Sequence, residues 1–83
     1  ADWLVEQEVR GIGIDTFSIG GAVEPTNSLT HQRLLEANIW IVEELRFPAE
    51  AYTLPQPLTF WSLPINLKGH SGAFCRPVLV TQQ

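Results

Sequence analysis

The run THQRLLEANIWIVEEL, Thr30 to Leu45, constrains this chain more than any other segment. It can be read in two ways. As one helix from Ser28 to Arg46, Leu34, Ile41 and Leu45 share a face, with Leu35, Ile39 and Val42 beside it. The same letters also read as a short helix, a turn and a strand. Asn38 tolerates the left-handed conformation that ends helices, and the Ile-Trp-Ile-Val run after it is β-branched and aromatic, as strands prefer. The two readings differ in what they do with His31 and Glu43. A continuous helix separates residues twelve apart by roughly 18 Å along its axis, too far for any shared ion. A chain that turns back at Asn38 can bring both side chains to one metal site, since imidazole and carboxylate are both metal ligands.

The rest of the chain divides by its turn formers. Ala1 to Gln7 reads as the end of an amphipathic helix, with Asp2 as a possible cap and Trp3 and Leu4 apolar. Val9 to Asp15 reads as a buried strand, with Gly11 and Gly13 permitting close backbone approach. Thr16 to Asn27 is loop by its Gly-Gly, Pro and Asn content, and it is long enough to be functional. Its glycines do not form a phosphate loop, because GxGxxG is absent and no lysine is near. Ser28 or Asn27 is expected to cap the helix that follows. Phe47 to Pro57 is a proline-rich connector. Leu58 to Lys68 and Ala73 to Thr81 read as an antiparallel hairpin around the turn Gly69 to Gly72, with Pro64 and Pro77 implying edge positions or bulges. The expected class is therefore α/β in the broad sense (α+β), a short helix after a buried strand and a C-terminal antiparallel hairpin.

Composition narrows the function. A net charge of −4 and the lack of a basic cluster argue against a nucleic-acid partner. No apolar run approaches the roughly 20 residues that span a bilayer, and no secretory signal pattern opens the chain. A single cysteine, Cys75, excludes an internal disulfide framework and fits a reducing, cytoplasmic setting; it reads as a packed strand thiol. Eighty-three residues make one small domain of marginal stability. The absence of methionine and the helix-end character of the first residues lead us to expect a partial domain, residues 1–83, that requires an upstream portion or a second chain. His70 in Gly-His-Ser-Gly reads as an exposed turn residue, because adjacent His and Ser rarely hold nucleophile geometry. Asp15 ends a strand, where either a structural or a catalytic role is open. Arg76 can pair with a carboxylate. Trp40, Phe60 and Trp61 read as core or interface.

Taken together, GIGIDTFSIGG, THQRLLEANIWIVEEL and PLTFWSLPINLKGHSGAFCRPVLV resemble the C-terminal third of the cyclase family of metal-dependent hydrolases, which includes kynurenine formamidase and isatin hydrolase. The matched pattern is Gly-Ile-Asp-Thr at the end of a strand, His-x-x-Leu-Leu, Ile-x-Ile-x-Glu-x-Leu and Leu-Pro-x-x-Leu-x-Gly, in that order. The resemblance implies a swivelling β/β/α domain and a divalent ion, zinc or manganese, held in part by His31 and Glu43. It also implies metal-activated water attacking a small amide, formamide or lactam carbonyl, and it favours the helix–turn–strand reading. The family's His-x-Gly-Thr-His-x-Asp segment lies upstream of the matched part and is not in this sequence, so the resemblance implies that this chain supplies at most two ligands and no general base of the family type. Its terminal turn, Gly-His-Ser-Gly-Ala-Phe, departs from the family's Gly-x-x-Gly-Ser-Pro. A homo-oligomer and a small-molecule substrate are the expected partners. The rival reading is a non-enzymatic remnant whose apolar surface, with Trp3, Trp40 and Trp61, serves self-association.

Overall fold

The run from Thr30 to Leu45 turns back on itself. In the computed structural model, which describes residues 1–81, helix α2 covers Thr26–Glu36 and strand β2 covers Trp40–Val42. Between them Asn38 stands at φ +60°. The amide of Ile39 donates to the Leu34 carbonyl at 3.0 Å and that of Asn38 to the Leu35 carbonyl at 3.0 Å. This is the paired bonding of a Schellman stop, which satisfies carbonyls the helix would otherwise leave open. The residues at the two ends of the stop, Leu34 and Ile39, are both apolar, as is common for such stops. Among the described residues these are the buried apolar side chains, at 0% and 2% exposure. The continuous-helix alternative is thereby excluded.

The backbone forms two compact units, Ala1–Arg46 and Phe47 onward. In the first, the short helix α1 (Asp2–Glu6) precedes strand β1 (Gly11–Gly13), which pairs in parallel with β2 in the register Gly11 to Trp40, Ile12 to Ile41 and Gly13 to Val42. Gly11 is needed because a Cβ there would lie 1.9 Å from the Trp40 ring, and one at Gly13 would lie 2.7 Å from Leu45. The close approach expected at both glycines was of backbone; what lies against them is side chain, the Trp40 ring and Leu45. The strand itself is shorter and less buried than Val9–Asp15 suggested: Ile12 is half-buried and Gly13 exposed. Asp15 consequently lies two residues beyond the strand, exposed in the loop.

The helix starts also differ from expectation. Asp2 lies inside α1, which Ala1 caps without a side-chain bond. Helix α2 begins at Thr26 with Pro25 as its cap residue, so neither Asn27 nor Ser28 caps it. The Glu24 carboxylate takes over part of that task, accepting from the Ser28 amide at 3.4 Å and from the Ser28 hydroxyl. Proline at the cap cannot offer a side-chain oxygen, and a carboxylate at a helix start also complements the dipole.

The second unit holds a 3-10 turn, Ala49–Thr53, within the proline-rich connector, then strands β3 (Leu58–Pro64) and β4 (Cys75–Thr81), paired antiparallel from Leu58–Thr81 to Pro64–Cys75. The hairpin is as anticipated, but its connection runs over 65–74 and not only Gly69 to Gly72. Phe60 packs edge-to-face on Phe47, centroids 6.3 Å apart, a favourable aromatic geometry. Ser62 donates to the Cys75 sulfur across the strands at 3.2 Å, so the thiol is a half-buried strand residue. Trp40 and Trp61 stay about half exposed. No helix among the described residues is long and apolar enough to cross a membrane.

Candidate metal centre

Three local structures converge on one carboxylate. Helix α2 carries His31 in its second turn. Four residues earlier on the same helix, the Asn27 carbonyl stands 2.9 Å from His31 Nδ1. A carbonyl only accepts, so Nδ1 carries the hydrogen and donates it. Nε2 is then the nitrogen that points away from the helix, and it lies 3.0 Å from Glu43 Oε2. Both side chains are about a third exposed.

Glu43 is delivered by the turn at Asn38 and by β2, but the strand ends one residue before it, at Val42. What holds Glu43 is the continuation of the backbone ladder past the strand. The amide of Glu44 donates to the Thr16 carbonyl and that of Leu45 to the Ile14 carbonyl, each at 2.9 Å. Glu44, at φ +54°, is exposed, whereas Glu43 faces His31. The same Oε2 atom of Glu43 accepts the Ile19 amide at 2.8 Å. An amide donor lowers the freedom of the carboxylate and fixes which oxygen faces the imidazole.

The loop that supplies Ile19 is itself tied to the helix. Ser18 donates to the Asn27 side-chain oxygen, the Gly20 amide donates weakly to Ser18 Oγ at 3.4 Å, and Gly21 sits at φ +82°, a conformation that favours glycine. A Cβ on Gly20 would lie 2.6 Å from Asn27 Cα and 2.8 Å from the Asn27 carbonyl oxygen. The Gly-Gly pair therefore lets the loop lie directly on the residue that orients His31. Nothing in the local pattern of residues 16–27 signalled this. Ser18, Ile19 and Asn27 escaped the sequence reading as site residues, although the His31–Asn27 spacing of four on one helix was a usable clue.

Glu24, at the start of α2, has its carboxyl held below the ordinary glutamate range, chiefly by the Ser28 hydroxyl and then by the Asn27 side chain. Asp15 is exposed and does not join the pair; His70 and Arg76 belong to the second unit, where both are exposed and His70 Nδ1 is bonded 3.1 Å from the Lys68 carbonyl in its turn.

The donor set suits a divalent ion. One imidazole nitrogen with its partner nitrogen anchored to a carbonyl, and one carboxylate oxygen, are the ligand types of zinc and manganese sites, and the Asn27 carbonyl is the outer partner such histidines usually have. Two ligands about 2.0–2.2 Å from a tetrahedral zinc stand roughly 3.3 Å apart; the observed 3.0 Å reaches that with a shift of a few tenths of an ångström. Among the described residues no third His, Cys, Asp or Glu converges on the pair. The pair also stands as an ion pair when His31 is protonated. No family model matches this chain, nor does any curated protein or solved structure.

Proposed function

We propose that this chain is the C-terminal portion of a cytoplasmic, metal-dependent hydrolase of the cyclase family, acting on a small amide, formamide or lactam carbonyl. The observation that carries the reading is the His31–Glu43 pair itself, 3.0 Å apart, with Nδ1 of His31 anchored to the Asn27 carbonyl at 2.9 Å and Glu43 fixed by the Ile19 amide at 2.8 Å. A simple surface ion pair needs neither anchor, since exposed pairs contribute little and tolerate disorder. A bound zinc or manganese would supply an activated water and polarise the carbonyl. His31 would hold it through Nε2 and Glu43 through Oε2, while Asn27 and Ile19 orient those atoms. The remaining ligands and the general base come from an upstream portion or a second chain.

The test uses the complete gene product. Its metal content is measured together with hydrolysis of an aryl formamide. His31→Ala and Glu43→Ala should each strip the metal and the activity, whereas Glu44→Ala should leave both nearly unchanged. A complete protein that binds no divalent metal, or that keeps full occupancy in the His31→Ala variant, sinks the proposal. The non-enzymatic alternative draws on the exposure of Trp3, Trp40 and Trp61, at 66%, 46% and 52%; a metal-free, inactive but discrete assembly of the complete product would favour it.

A further inference from the structure

The carbonyl that orients His31 sits in the least secure part of its helix. Asn27 is the second residue of α2, and the cap residue, Pro25, makes no side-chain bond. First turns without a cap fray, because their amides have no partner inside the helix. Yet this turn must hold the Asn27 carbonyl 2.9 Å from His31 Nδ1, or the ring is free to carry its hydrogen on either nitrogen. What secures the turn comes from the residues before it. The Asn27 amide donates to the Val23 carbonyl at 3.0 Å. The Glu24 carboxylate accepts from the Ser28 amide at 3.4 Å and from the Ser28 hydroxyl.

The same carboxylate also bonds the Asn27 side chain. An ionised carboxylate only accepts, so the group that faces it is the Asn27 amide nitrogen. The other end of that amide, Oδ1, accepts from the Ser18 hydroxyl. Asn27 is thus gripped at both ends of its side chain while its main-chain carbonyl holds His31. The two grips differ in what they impose. Turning the amide over would set Oδ1 against the carboxylate, two acceptors with no hydrogen between them. A hydroxyl can donate or accept, so Ser18 tolerates either orientation. Glu24 therefore fixes which way the Asn27 amide lies. A cap needs only the bonds to Ser28; the bond to Asn27 is one that capping does not use. Residues 24, 27 and 31 stand three and four apart, the spacing of neighbours on one helix face.

We propose that Glu24 is a positioning residue for His31, acting through Asn27. By locking the Asn27 side chain it holds the main-chain carbonyl that keeps the hydrogen on Nδ1 and leaves Nε2 open toward Glu43. The relay runs from the Glu24 carboxylate to the Asn27 amide, and from the Asn27 carbonyl to His31 Nδ1. Among the described residues no third carboxylate converges on the His31–Glu43 pair, so Glu24 acts on the ring and not on an ion. The value of the relay to an ion rests on the reading of Nε2 as a ligand, whereas the tautomer that the relay sets does not.

Nitrogen NMR of the chain tests this at a pH of about 8, where a histidine of ordinary pKa, about 6.5, is neutral. The quantity read is the ratio of the Nδ1–H to the Nε2–H tautomer of His31. His70 is the internal reference, since its Nδ1 is bonded to the Lys68 carbonyl in the other unit. Glu24→Ala should lower the His31 ratio roughly threefold or more and leave that of His70 unchanged. Asn27→Ala should lower it at least as much, and the double variant no further than Asn27→Ala alone, because Glu24 acts through Asn27. A cap-only role for Glu24 would lower the unfolding midpoint and leave the tautomer of the folded chain where it was. An unchanged ratio in folded Glu24→Ala, or effects that add in full in the double variant, overturns the proposal. Asn27→Ala leaves the bonds from Ser28 to Glu24 in place and removes only the relay, so an unchanged ratio there overturns it even if Glu24→Ala does not fold. Where zinc binds, Glu24→Ala should weaken it about tenfold, as losing an outer partner does. If the chain and the complete protein bind no zinc, the functional reading fails, and the tautomer ratio still decides the relay.

Discussion

The His31 ring shows how one hydrogen bond decides what a residue can do. With Nδ1 committed to the Asn27 carbonyl, Nε2 is the only nitrogen left for an ion or for Glu43. Zinc added to the chain should therefore shift the Nε2 resonance of His31 in nitrogen NMR and leave Nδ1 protonated; perturbation of Nδ1 with Nε2 unchanged would contradict the assignment. Glu24 gives a separate, pH-dependent prediction. Its carboxyl is lowered in the folded chain, so its contribution is present above the ordinary glutamate range and is lost as pH falls through the folded value. Glu24→Gln should reduce stability at neutral pH, and the gap from the parent should close on acidification. Denaturant midpoints measured across the acidic range check this, and a gap that widens on acidification would be the wrong sign. At this scale the sequence was partly legible. His31 and Glu43 were visible as ligand types, but the Ile19 amide that fixes Glu43 was not, because a backbone donor 24 residues away leaves no mark on residue identity.

At the scale of elements, the turn at Asn38 determines everything that follows. Asn at a left-handed position was readable, and so was the change from a helical to a β-branched run after it. The alternative periodicity was equally readable, because an apolar run of this length fits both periods. What separates them physically is the pair of backbone bonds across the stop, from the Ile39 amide to the Leu34 carbonyl and from the Asn38 amide to the Leu35 carbonyl, which only the turned form makes. Asn38→Gly should be nearly neutral, whereas Asn38→Val should cost about 1–2 kcal/mol, since a β-branched residue is strained at positive φ. Leu34→Ala should cost about 2–5 kcal/mol as a buried deletion. Urea unfolding followed by circular dichroism measures all three, and a neutral Asn38→Val would remove the turn from its central place. The helix start was less legible: a cap by Asn27 or Ser28 follows common preference, but Glu24 reaches forward to the Ser28 amide and hydroxyl, and Asn27 serves His31 and Ser18.

For the whole molecule, the question is how much of a metal centre two residues make. Zinc sites take four ligands when structural and usually three protein ligands when catalytic. Among the described residues only His31 and Glu43 converge, so under the proposed function this chain carries a half-site that other residues complete. The consequence can be counted. The chain has two histidines, and His70 lies in a different unit, bonded to its own turn. X-ray absorption of zinc bound to the isolated chain should therefore show one imidazole in a shell otherwise of oxygen, with binding that His31→Ala abolishes and His70→Ala leaves unchanged. In the complete protein the imidazole count should rise and the affinity with it, because each added ligand replaces a water at a position already oriented by the Asn27 and Ile19 anchors. Two imidazoles on zinc in the isolated chain, retained when His70 is replaced, would mean that two copies share one ion. An unchanged single imidazole in the complete protein would mean that His31 is the only histidine ligand, and the resemblance to the cyclase family would lose its chemical basis.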